Sequence, residues 1–222
     1  MFLTLLKNAA FATLVQIGML FGVLFLCGAT LAFFQQRTTE RYYSTLGWYG
    51  VLLTAWIGTP IHELSHLFFA VLFRHRITGV AFFRPDRKSG ELGYVNHSFH
   101  PLSLYQRLGN FFIGAAPMIV GIPVLAALLY FLIPRARDIF HPVLTAEINF
   151  SYIGTTMTHM IQVLYQSFDP GDWRTWLFVY LSFCVAAHVA PSRADRKLMW
   201  GGLTWIIGII LLLNILTLAL HV

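Results

Sequence analysis

His62-Glu63-Leu64-Ser65-His66 places two imidazoles four residues apart with a carboxylate beside the first. On a helix, positions four apart share a face, so both rings can reach one zinc ion while Glu63 stands next to them. Zinc acidifies water to near neutrality, and a neighbouring carboxylate can take up the released proton. That division of labour is metal-assisted hydrolysis. His62 and His66 are the metal candidates and Glu63 the catalytic base. The flanks, Val51 to Ile61 and Leu67 to Phe73, are apolar. A soluble zinc hydrolase carries such a helix with one polar face, whereas an apolar surround points to chemistry inside a bilayer. A charged residue at the centre of such a helix costs about 2.5–3.5 kcal/mol on insertion scales, so the cluster needs a reason to be there.

Catalytic zinc takes three protein ligands and leaves one position open. Most remaining His and acidic residues are poorly placed. His75, His97 and His100 fall in a polar loop, and Asp169 and Asp172 in a turn beside Trp173. His188-Val-Ala-Pro-Ser-Arg-Ala-Asp195 breaks one apolar run and starts another, which displays side chains at a helix junction. Asp195 is the preferred third ligand and His188 the fallback. Ser192-x-x-Asp195 also has the form of a capping box, which would direct the carboxylate to backbone donors instead.

The elements that must hold these residues are hydrophobic helices. Hydrophobic residues make up 57% of the 222, charged residues 11%, and the net charge is +6. A soluble domain has about 25% charged residues, so the chain reads as a single integral membrane domain over 1–222. The basic residues are scattered between apolar runs, which suits anionic lipid and excludes a nucleic-acid partner. Cys27 and Cys184 lie in apolar runs without paired spacing and read as buried free thiols.

The first span is expected at roughly 9–35, as an uncleaved anchor, followed by a short polar connection from Arg37 to Arg41. A second helix over about 46–73 carries the motif, with a kink or local opening expected at Gly58-Thr59-Pro60. Gly79–Arg84 and Glu91–Asn96 flank a Pro/Gly turn and predict a small β-hairpin, whose free edge could pair with an extended substrate. A third helix over about 108–133 is kept slim by Gly114-Ala-Ala-Pro117 and Gly121, suiting close approach to the motif helix. Spans at about 173–190 and 198–220 complete five, and 149–165 is an open sixth. The fold class is therefore an all-α multi-pass membrane protein with five to six transmembrane helices and a hairpin after the HExxH helix. With five spans, ten of the fifteen Lys and Arg fall on the side of the hairpin loop 74–106, which places that loop in the cytoplasm of a cell-membrane protein.

The chain resembles the site-2 protease group of intramembrane zinc metalloproteases. HExxH at 62–66 matches fully, Gly114-Ala-Ala-Pro117 loosely, and His188-Val-Ala-Pro191 followed by Asp195 is similar to that family's aspartate segment. His188 stands where the family usually has Asn, and Asp195 is followed by Arg196 rather than Gly. The likeness covers roughly 46–200 and implies a Zn2+ cofactor, Asp195 as third ligand, and peptide-bond hydrolysis in a membrane-associated protein or peptide. A non-proteolytic zinc-binding scaffold or partner subunit is the alternative, and a regulatory membrane partner is compatible with either. A third type, a membrane zincin with a glutamate ligand, has Glu147 as its candidate.

Overall fold

The computed structural model describes residues 2–139 and 150–220. Helix α1 (Phe2–Thr45) meets α2 (Gly47–Leu72) at a one-residue turn; strands β1 (Arg76–Ala81) and β2 (Tyr94–Ser98) follow, then α3 (Leu104–Leu132). After a 3₁₀ turn (Pro134–Ile139) come α4 (Phe150–Ser167), α5 (Trp173–Ala186) and α6 (Arg193–Leu220). The chain is mostly helical with one small antiparallel hairpin, as the apolar runs demand. α1, from Leu3, α3 and α6 are long and apolar enough to cross a membrane. They have the character of membrane-associated helices, and side chains such as Met19, Val23, Leu26 and Phe131 are largely exposed on the protein surface. α2 is not among the three, its motif residues diluting its hydropathy, and α5 is a shorter apolar helix.

Several boundaries differ from the sequence reading. Arg37 to Arg41 is not a connection: α1 continues through it, since charged side chains on an exposed helical face cost nothing in water. The reversal falls at Leu46 and Gly47, where Gly47 takes φ +62°, a conformation that suits glycine. Cys27 is exposed on α1, and only Cys184 is buried. The strands lie further from the turn than expected, with a bulge between Ile77 and Gly79 opposite His97 and Asn96. Asp86 organises the intervening loop, accepting from the Lys88 backbone N–H and the Ser89 hydroxyl. Position 147 lies outside the described residues, so Glu147 has no structural account.

Packing centres on α3. Phe111 and Ala115 meet Met199 and Leu203 of α6 in one core cluster, with Phe21, Leu24 and Phe25 of α1 against them. Met118 joins Val185 and Val189 in a second. Small residues allow the backbones to approach. A Cβ on Gly202 would clash with the Phe111 backbone nitrogen, and one on Gly114 with the Asp195 carbonyl. The slim face of α3 thus receives the Asp195 segment, while Gly109, against Phe73, serves the end of the motif helix.

Candidate metal centre

α2 is helical through Pro60, so Thr59, His62, Glu63 and His66 lie along one face. Opposite them, α6 starts with a reciprocal cap. The Ser192 backbone N–H donates to Asp195 Oδ2 at 2.7 Å and the Asp195 N–H to Ser192 Oγ at 3.2 Å. The cap fixes the carboxylate rotamer and leaves Oδ1 3.2 Å from His66 Nε2, with Oδ2 3.6 Å from His62 Nε2. Capping and facing the imidazoles, which the sequence posed as alternatives, are combined in one side chain.

The rings are held from behind. His62 Nδ1 is 2.6 Å from the His188 carbonyl oxygen and His66 Nδ1 is 2.8 Å from that of Ile113. A carbonyl only accepts, so each Nδ1 carries the hydrogen and each Nε2, in a neutral ring, is a bare lone pair. The two Nε2 atoms are 3.0 Å apart. Two lone pairs and a carboxylate therefore converge on one point, an arrangement that repels itself unless a positive charge sits there. Tetrahedral bonds of about 2.0–2.1 Å put ligand atoms about 3.3–3.4 Å apart, close to the 3.0, 3.2 and 3.6 Å found here. His62, His66 and Asp195 are also the one group of three or more His, Cys, Asp or Glu among the described residues with ligand atoms this close together. The donor set and the carbonyls behind it fit zinc.

His188, the fallback ligand, is not in this group. Its ring Nδ1 is 3.0 Å from the Cys184 carbonyl, and its own carbonyl holds His62. Gly58 makes that approach possible: a Cβ there would clash with the Cys184 carbonyl and lie 2.5 Å from His188 Nδ1. The glycine placed in the sequence at an expected kink therefore seats the end of α5.

A cavity of about 600 Å³ opens on the cluster. Glu63 lines it, is 8% exposed, and makes no hydrogen bond or ion pair with the described residues. Thr59, one turn earlier, also lines it, and its buried hydroxyl has no hydrogen-bond partner among the described residues. The far wall is the segment Gly90–His97, because the hairpin folds back along α2 until Gly93 meets Thr59. His97, set aside in the sequence as a loop histidine, is part of that wall. Only the alternation of β2 hinted at it, since a strand must turn every second side chain to one face.

No known protein family, curated protein or solved structure matches the chain.

Proposed function

We propose that this protein is a multi-pass, membrane-embedded zinc metallopeptidase that hydrolyses peptide bonds of membrane-associated proteins, with His62, His66 and Asp195 holding the metal. The observation that carries the reading is the pair of histidines whose Nδ1 atoms are both committed to backbone carbonyls, so that both bare Nε2 atoms face one carboxylate. When bound, zinc would acidify water and polarise the scissile carbonyl. Glu63, on the cavity wall and without a hydrogen bond or ion pair to the described residues, takes a proton from the attacking water and passes it to the amine nitrogen as the C–N bond breaks. A base needs an unoccupied carboxylate, and a purely structural metal site has no use for one. The cavity wall from Gly90 to His97 offers backbone groups to an extended peptide, which matters because a helical peptide bond is hidden from attack. The likeness to site-2 proteases stands as part of this proposal, as do the span count beyond three and the cytoplasmic placement of the hairpin.

The decisive test is metal content with cleavage. Purified without chelator, the protein should carry about one zinc per chain, and a His62→Ala/His66→Ala double variant none. Absence of zinc from the wild type, or equal zinc in the double variant, removes the site. A proton on one imidazole would also relieve the lone-pair conflict, and a zinc-free wild type is the result that reading requires. Zinc without cleavage of any membrane substrate would leave the scaffold alternative.

A further inference from the structure

One residue of the cavity wall, His97, belongs to a second histidine pair that the proposed chemistry does not use. His75 is 6% exposed, at the turn between α2 and β1. Its Nε2 is 3.0 Å from the Gln106 carbonyl in the first turn of α3, and its ring stacks on Phe99 at 5.4 Å between centroids. Gln106 is itself clamped. Its side chain donates to the Arg74 carbonyl at 2.6 Å and accepts from the His100 backbone N–H at 2.6 Å.

This setting fixes the protons on both rings. The Gln106 carbonyl only accepts, so His75 Nε2 carries the hydrogen and His75 Nδ1, in a neutral ring, is bare. His97 Nδ1 lies 3.0 Å from that bare nitrogen and must supply the hydrogen between them. His97 Nε2 is then a lone pair with no hydrogen-bond partner among the described residues; His97 is one of the residues that line the metal-site cavity, and its ring is close enough to His66 and Asp195 to feel their charge. Both rings are held neutral. Burial, and then the adjacent His75, push His97 down to about 4, and burial lowers His75.

We infer that His97 is a substrate-binding residue whose Nε2 accepts a hydrogen bond from an N–H of the bound peptide, and that His75 is the positioning residue that holds it in that tautomer. The ligand class is a donor: a backbone amide of an extended peptide lying along Gly90–His97. A carbonyl or carboxylate at that point would face a lone pair and be disfavoured. The peptide as ligand rests on the peptidase reading, whereas the tautomer does not.

The test uses the full chain in detergent micelles, with 15N-histidine labelling for the ring nitrogens. Titration with a dansylated extended hydrophobic peptide is carried out in the zinc-supplied Glu63→Gln background. His97 should show hydrogen on Nδ1 and a bare Nε2 at neutral pH, and His75→Phe should move the hydrogen to Nε2. His97→Phe and His75→Phe should each raise the peptide's Kd about tenfold, the loss of one hydrogen bond of ordinary net strength. His75→Asn, which returns an acceptor beside His97 Nδ1, should bring it back to within about threefold of the parent. A parent protein with hydrogen on His97 Nε2 overturns the inference, as does a Kd that His97→Phe leaves unchanged. Peptide that binds no variant, the parent included, overturns the peptidase reading and the peptide-binding role together. Binding that ignores His97 overturns this inference alone. If His75→Phe fails to fold, His97→Phe at the cavity wall still decides.

Discussion

Asp195 has two jobs that two substitutions separate. Its Oδ2 accepts the Ser192 N–H in the cap, and the carboxylate faces His66 and His62 at 3.2 and 3.6 Å. Asp195→Asn keeps an oxygen for the cap and removes the charge, whereas Asp195→Ala removes both. Loss of a group that only orients a ligand costs about 10–100-fold in metal affinity, so loss of a ligand itself should cost at least about 100-fold. Zinc at about a thousand times its Kd stabilises the wild-type fold by about 4.1 kcal/mol; a 100-fold weaker site retains about 1.4 kcal/mol, a difference of about 2.7 kcal/mol. For a chain of this size that is a fall in Tm of about 5–10 °C with zinc present. Without zinc, Asp195→Asn should melt no lower than the wild type, because it keeps the cap and takes a charge out of a self-repelling cluster, and Asp195→Ala should melt about 2–4 °C below Asp195→Asn for the lost cap of about 1 kcal/mol. Competition against a zinc chelator gives the affinities and thermal unfolding in detergent gives Tm. Wild-type zinc affinity in Asp195→Asn would refute the reasoning, leaving a carboxylate that only caps.

Glu63→Gln should retain zinc and the fold yet lose about 10²–10⁴-fold in cleavage, because only proton transfer is removed; undiminished cleavage removes Glu63 as the base. Gly58→Ala should push the Cys184–His188 segment away, take the His188 carbonyl from His62 Nδ1, and weaken zinc about 10–100-fold. Chelator competition that finds wild-type affinity in Gly58→Ala would show that this carbonyl is not orienting the ring. Gly202→Ala, whose Cβ would clash with the Phe111 backbone, should destabilise the zinc-free protein by about 1–3 kcal/mol, and an unchanged Tm would show that α3 and α6 are not tightly apposed there.

What was legible in the sequence follows from what periodicity encodes. Helical spacing alone puts His62, Glu63 and His66 on one face, and a proline break followed by Ser192-x-x-Asp195 announces a helix start with a carboxylate on display. The existence of the hairpin was legible from its turn residues, but its fold-back along α2 was not, because Gly93 against Thr59 is a tertiary contact without local signature. Beyond the alternation of β2, nothing local therefore marks His97 as part of the site. The continuation of α1 through Arg37 and Arg41 was missed because charge in a chain this apolar imitates a loop, although an exposed helix tolerates it equally well.

The groups that hold the two ligand rings were beyond any residue-type argument. Every residue has a carbonyl, so nothing in the letters of Ile113 or His188 announces that their oxygens accept from His66 and His62. What the sequence does carry is the permission for the segments around the site to approach one another. Glycine at 58 lets the α5 end sit against α2, and glycine at 114 admits the Asp195 backbone to α3. Read this way, Gly58 and Gly114 belong to the site as much as the ligands do. An imidazole without a fixed tautomer offers zinc its lone pair only part of the time, and the approach that fixes His62 depends on having no Cβ at 58, while the approach that brings the Asp195 segment against α3 depends on having none at 114.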